Sequence, residues 1–159
     1  MTKSNQSPIK AIIRGTCNNQ TQIGTWSAII EDDTKYLEIA NRHRQTTNIE
    51  MELVASLKVL QSLEKYSGRS ISIVTTSDYL INGVTEWFTK WQSKGWRNAS
   101  NKPVTHKDKW QELKKLSDKL NIQWCKLSKD EETKAQYNLI CISDEALNSG
   151  HAKNIIQKQ

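Results

Sequence analysis

Residues 46–53 read Thr-Thr-Asn-Ile-Glu-Met-Glu-Leu and open the most regular segment of the chain. From here Met51, Leu53, Val54, Leu57, Leu60 and Leu63 recur at steps of three and four. That spacing places them on one face of an α-helix. Thr47 or Asn48 supplies its N-cap, because a short polar side chain satisfies an otherwise orphaned backbone N–H. Ser67-Gly68 ends it.

Upstream of this helix lie three strand-like runs: Lys10–Cys17, Gly24–Ile30 and Lys35 to about Arg44. The separators Asn18-Asn19-Gln20 and Glu31-Asp32-Asp33 are turn-like, and links this short imply an antiparallel meander. Downstream, Ser70–Thr75 alternates and is β-branched, so it forms a fourth strand. A helix between strands favours parallel pairing of that strand. Ser77 to about Ser93 is helical, 95–105 is a loop, and His106–Leu120 is a helix with Trp110, Leu113, Leu116 and Leu120 on one stripe. Ile122–Leu127 is a fifth strand, and Thr133–Leu147 forms the last helix, aligning Ala135, Leu139, Ile142 and Ala146. The order predicts an α/β fold with a mixed sheet flanked by helices. Residues 1–8 read as a disordered tail, 9–150 as one domain and 151–159 as a C-terminal tail.

The 159 residues suit a single domain. No apolar run approaches the roughly 18 residues of a membrane span, and the N-terminus lacks the apolar core of a secretory signal. Three scattered cysteines, Cys17, Cys125 and Cys141, suit neither a disulfide framework nor a zinc site. They point to reduced thiols and an intracellular location. The net charge of +6 is localised: residues 90–119 hold nine Lys and Arg against three acids, while the remainder carries fourteen of each sign. A basic segment of this kind suits a polyanion.

Beyond the helix opening, two further motifs stand out. One is Ser77-Asp78-Tyr79-Leu80 with Gly83 and Trp87. The other is Trp91-Gln92-Ser93-Lys94-Gly95-Trp96, continued by Asn101-Lys102-Pro103-Val104 and Asp108-Lys109-Trp110. Together with the element order these resemble ribonuclease HI of the bacterial and eukaryotic type over residues 8–150. Residues 46–53 match that family's TTNNRMEL, and the last motif matches its basic protrusion, or handle, about residues 90–119. Trp87, Trp91, Trp96, Trp110 and Trp124 fall at family tryptophan positions. The resemblance implies a ribonuclease H-like fold: a five-stranded mixed sheet, three strands antiparallel and the others added in parallel, flanked by helices.

It also implies a chemistry. The family cleaves the RNA strand of an RNA–DNA hybrid with two divalent metals held by four clustered carboxylates. These come from strand 1, the first helix, the end of strand 4 and the last helix. Here strand 1 carries Arg14 in place of the first carboxylate, and Thr76 stands in place of the third. Glu52 keeps the second. For the fourth, one alignment of the last helix offers Asp144 and another Ile142; Asp144 is preferred, because the alternative puts Asp144 itself where a buried leucine belongs. The catalytic histidine before that helix has no counterpart. Arg14 stays charged, which predicts a pairing with Glu52, and with Asp144 if it is there. The expectation is therefore an inactive homologue that is not an enzyme, has lost the Mg²⁺ site and needs no cofactor.

Binding is the function expected to remain. Thr47 and Asn48 correspond to the family's phosphate pocket, at a helix N-terminus suited to an anion. Trp91 and Trp96 flank the groove, and Lys94, Arg97, Lys102 and His106 lie on the handle. The expected partner is a nucleic acid duplex, an RNA–DNA hybrid or double-stranded RNA, with no membrane. Two other readings are a protein-interaction module in a larger nucleoprotein assembly and an active nuclease with a rearranged site.

Overall fold

The computed structural model describes residues 8–66, 68–127, 129–149 and 151–157, with side chains at 8–66, 68–127 and 137–148. The elements are β1 (Ile9–Cys17), β2 (Gly24–Glu31), β3 (Lys35–His43), α1 (Asn48–Leu63), β4 (Ser70–Thr75), α2 (Asp78–Asn82), α3 (Phe88–Ser93), α4 (Lys107–Lys119), β5 (Asn121–Lys126), α5 (Lys129–Ser149) and β6 (His151–Gln157). The sheet order is β5-β4-β1-β2-β3-β6. β1 runs antiparallel to β2 and parallel to β4, β4 runs parallel to β5, and β2 runs antiparallel to β3. The five-stranded mixed sheet anticipated from the sequence is thus present.

A sixth strand joins it. Residues 151–157, placed in a tail by the sequence reading, pair antiparallel with β3 from Asn41↔His151 to Lys35↔Gln157. The reason is long-range: the pairing satisfies backbone groups on the edge of β3, and no local periodicity announces it. The tail expected over 1–8 falls, for residues 1–7, outside the described residues.

Turn chemistry sets the meander. The Asn18 carboxamide oxygen accepts from the backbone of Gln20 and Thr21 at 2.8 and 3.1 Å. Asp32 does the same for Thr34 and Lys35 at 2.8 and 3.0 Å. Such side chains substitute for backbone acceptors in tight turns. Side chains alternate across β1. Ala11 and Ile13 face the α1 side with Leu53, Leu57 and Leu60. Ile12 faces α5 with Leu139, Ile142 and Ala146. α1 is buried around most of its circumference, which makes it the central helix of the larger core.

The helical stretch expected over 77–93 is not uniform. Between α2 and α3 the turn Gly83–Trp87 is π-helical. Around it gathers an aromatic cluster: Trp91 lies 5.1 Å from Trp110 and 6.0 Å from Trp96, centroid to centroid, and Tyr79 5.1 Å from Trp87. Trp110 is fully buried. Offset and edge-on ring pairs of this kind add about 0.5–1.5 kcal/mol each beyond area burial.

Gly83 is where that cluster meets the helix. A Cβ there would lie 2.3–3.1 Å from the Trp110 ring. Alanine in a helix normally gains about 0.5–1 kcal/mol over glycine, whereas overpacking costs about 1–3 kcal/mol. Gly83→Ala should therefore destabilise, lowering Tm in a calorimetric melt; an unchanged or raised Tm would show that the Trp110 ring yields freely.

Candidate functional site

β1 and α1 meet at Gly15. A Cβ on Gly15 would sit 2.3 Å from the Glu52 nitrogen and 2.6 Å from the Met51 carbonyl carbon. Only glycine lets the two backbones approach so closely. The contact brings the Glu52 side chain to the ends of β1 and β4. There burial pushes its carboxyl above the usual range, partly offset by the hydroxyl of Ser77, which donates to it, and by the positive charge of Arg14. Ser77 also caps α2, accepting from the Leu80 N–H at 3.1 Å. Thr76 is exposed beside it, while Thr75 is buried and its hydroxyl accepts from the Ser77 N–H at 3.0 Å.

On the α5 face, Arg14 and Asp144 line one cavity of about 480 Å³, together with Thr16, Asn18, Thr21 and Thr25. Ser143 donates to Ser27 at 3.0 Å, buried between α5 and β2, and Ser27 is the register partner of Arg14. This contact fixes the rotation of α5. Asp144 consequently turns to the cavity, and Ile142 packs in the core at 3% exposure. The structure thus brings Arg14 near both Glu52 and Asp144. Asp78, on α2, pairs instead with Lys126.

The basic segment forms an ordered arm. Lys94, Arg97 and Lys102 are exposed on it. Gly95, Trp96 and Asn101 adopt left-handed backbone, with φ of 68°, 63° and 63°. For a tryptophan this conformation is costly. It is held by the Trp96 N–H donating to the Trp91 carbonyl at 2.6 Å and the Val104 N–H donating to the Trp96 carbonyl at 3.0 Å. Trp91 and Trp96 are half-buried in the aromatic cluster, so their rings support the arm as well as bordering it.

Thr47 is the N-cap of α1, its hydroxyl accepting from the Glu50 N–H at 3.1 Å. As an acceptor there it still has its own proton to donate. Asn48 is exposed next to it. The sequence reading passed over Glu50. It accepts from the Thr46 hydroxyl at 2.6 Å, and one of its oxygens lies 3.3 Å from Lys109 Nζ and 3.8 Å from His106 Nδ1. Thus His106 turns toward Glu50, at the root of the arm. The Thr-x-x-Glu spacing of Thr47 and Glu50 is the signal that could have found it, although here Glu50 reaches across to α4 instead of back to its own N-cap.

A family model for RNase H matches residues 12–139. A Ribonuclease H of Francisella tularensis subsp. novicida is 42% identical over 110 residues, covering 69% of this chain and 71% of the relative. One from Francisella philomiragia is 40% identical over 123 residues, covering 77% and 78%.

The chain belongs to the RNase H family.

Among solved structures, LC9-RNase H1, described as a type 1 RNase H with the type 2 active-site motif, superposes with a TM-score of 0.79 at 15% identity, covering 99% of this chain and 80% of that one. A foamy viral protease-reverse transcriptase solved with an RNA/DNA hybrid gives a TM-score of 0.68 at 15% identity, covering 94% and 22%. These likenesses carry the fold.

Membership in this family corrects two expectations. That the chain is not an enzyme is overturned by relatives at 40–42% identity that are named as one. That it needs no cofactor falls with it, since it rested on the same expectation of an inactive homologue. Both expectations counted carboxylates at two positions, Arg14 and Thr76, and gave that count more weight than the match along the rest of the chain. Among the described residues no three His, Cys, Asp or Glu side chains gather as metal ligands. Glu52 and Asp144 therefore do not by themselves fit a two-ion centre.

Glu50 generates a pH prediction. The Thr46 hydroxyl, then Lys109 and His106, hold its carboxyl below the usual range against a smaller opposing effect of burial. A depressed carboxylate contributes stability that is present above its unfolded pKa, about 4.3, and lost as pH falls through the lower folded value. Glu50→Gln should therefore cost about 0.5–1 kcal/mol near pH 7, as for a partly exposed ion pair. The deficit should shrink below pH 4. Urea melts at both pH values check it, and a pH-independent deficit would contradict it.

Proposed function

We propose that this RNase H family chain captures a nucleic acid duplex, an RNA–DNA hybrid in the first instance, across the arm and the N-terminal turn of α1. Capture is the step that any hydrolysis of the strand follows. The observation that carries the proposal is the Glu50 junction. It ties the segment holding the chain's entire positive excess to the turn that presents Thr47 and Asn48.

Several features support a backbone reader. Lys94, Arg97 and Lys102 are exposed and mounted on a loop closed by its own hydrogen bonds. The Asn98 carboxamide oxygen accepts from the backbone of Ser100 and Lys102, and the Arg97 guanidinium donates to the Asn101 carbonyl. Cations pre-positioned in this way contact phosphate without reading bases. The Thr47 hydroxyl and the first N–H groups of α1 suit a phosphate on the neighbouring strand. A hybrid fits a surface that meets phosphates on both strands, and it is the ligand of the reverse transcriptase whose fold this chain shares.

The test is a fluorescence anisotropy titration of a labelled hybrid over a salt series. Binding should weaken linearly on a log–log plot, with a slope of about −0.9 per phosphate neutralised. Lys94→Glu, Arg97→Glu and Lys102→Glu combined should weaken binding at least tenfold and flatten the slope by about 3, one for each phosphate contact. An unchanged slope would refute the arm as the contact.

A further inference from the structure

A cavity of about 250 Å³ opens at the end of the sheet remote from Glu52. The start of β1, the end of β2, the start of β3 and the end of α1 enclose it. On β1 its wall residue Ile9 lies about 20 Å from Gly15, at the usual rise of a strand. Ile9, Ile30, Leu37 and Leu63 give it an apolar lining. An engineered apolar cavity of about 150 Å³ accommodates benzene, so this one has room for a ring and a short chain.

The rim is charged, with Lys35, Lys65 and Arg69 against Glu31 and Asp32. Asp32 is committed: it accepts from the backbone of Thr34 and Lys35 and pairs with Arg69 at 3.1 Å. The Arg69 guanidinium also lies over the Tyr66 ring, 5.6 Å from its centre, and so closes one wall. Lys35 and Lys65 are exposed. Among the described residues neither ammonium lies within ion-pair distance of a carboxylate. An apolar hollow below two such cations suits a ligand that is apolar at one end and anionic at the other.

We propose that this cavity binds a small amphipathic carboxylate, one aromatic ring on a short chain, with the ring against Ile9, Ile30 and Leu63 and the carboxylate between Lys35 and Lys65. The site stands apart from the duplex surface and does not depend on that reading. Burial of the ring supplies a driving force without direction. The two ammoniums supply the orientation, because a lysine on its flexible stem acts as a mobile point charge that can close on a carboxylate. Glu31 and Asp32 on the same rim disfavour a ligand of high negative charge, so a single carboxylate fits better than a polyanion.

The experiment is an amide NMR titration of the full chain with 3-phenylpropionate, run beside 3-phenylpropan-1-ol and acetate. 3-Phenylpropionate should shift the amides of Ile9, Ile30, Leu37 and Leu63 and saturate with a Kd of about 1 mM or below. The alcohol lacks the charge and acetate lacks the ring, and each should bind about tenfold more weakly. Lys35→Gln combined with Lys65→Gln, both at exposed positions and checked by thermal melting, should weaken 3-phenylpropionate about tenfold. Equal binding of the alcohol, or unchanged affinity in the double variant, would overturn the carboxylate assignment. If the variant does not fold, the comparison with the alcohol decides. No saturable shift at the cavity, or shifts at 94–102 in its place, would overturn the site itself.

Discussion

The backbone of α1 presses on β1 at Gly15, with no room for a single methyl group between them. Much else depends on this contact. It seats the central helix against the central strand and so closes the larger core, in which Ala11, Ile13, Leu53 and Leu57 interlock. It also fixes the height of Glu52, which reaches Ser77 at the start of α2 and the charge of Arg14 at the end of β1. A carboxyl kept above its ordinary pKa by burial is a costly thing to hold in place. The fold bears that cost because moving Glu52 would mean separating α1 from the strand beneath it.

The arm depends on a second constraint that grows from the same helix. Glu50, two residues before Glu52, grips Lys109 and His106, while Trp110 anchors α4 in the aromatic cluster. Polar grip and apolar anchor lie next to each other in sequence on α4. Together they make the basic segment an extension of the core, not a loose loop. The left-handed Trp96 shows the same priority: local backbone strain is accepted, and two backbone hydrogen bonds with ring packing against Phe88 and Trp91 hold it. Strain held by surrounding structure in this way marks a segment whose shape matters.

Much of this was legible in the sequence, and for a definable reason. The α1 stripe, the alternation in β4 and the turn residues of the meander are local signals, and each maps onto the element they suggest. The motifs with their tryptophans pointed to the right family. What escaped is long-range. β6 is a strand because β3 offers it an edge, and its own residues carry only Ala152 and the pair Ile155 and Ile156 as apolar signal. The π-helical turn at Gly83 answers to Trp110, 27 positions away in the chain. The choice between Asp144 and Ile142 depends on how α5 is rotated by Ser143 and Ser27, a contact no periodicity encodes. On activity the residue-by-residue reading went astray, because two substituted positions outweighed an identity of 40–42% to Ribonuclease H relatives over 110–123 residues.

The proposed function requires the arm and the start of α1 to form one continuous surface for a duplex. Amide NMR on the full chain, titrated with a short RNA–DNA hybrid, tests it most directly. Shifts are expected at 94–106 and at 46–50, with the turn around Asp32 and Arg69 at the far end of the sheet unmoved. Shifts confined to that far end, or none at a concentration of hybrid that saturates the arm of a working binder, would contradict it.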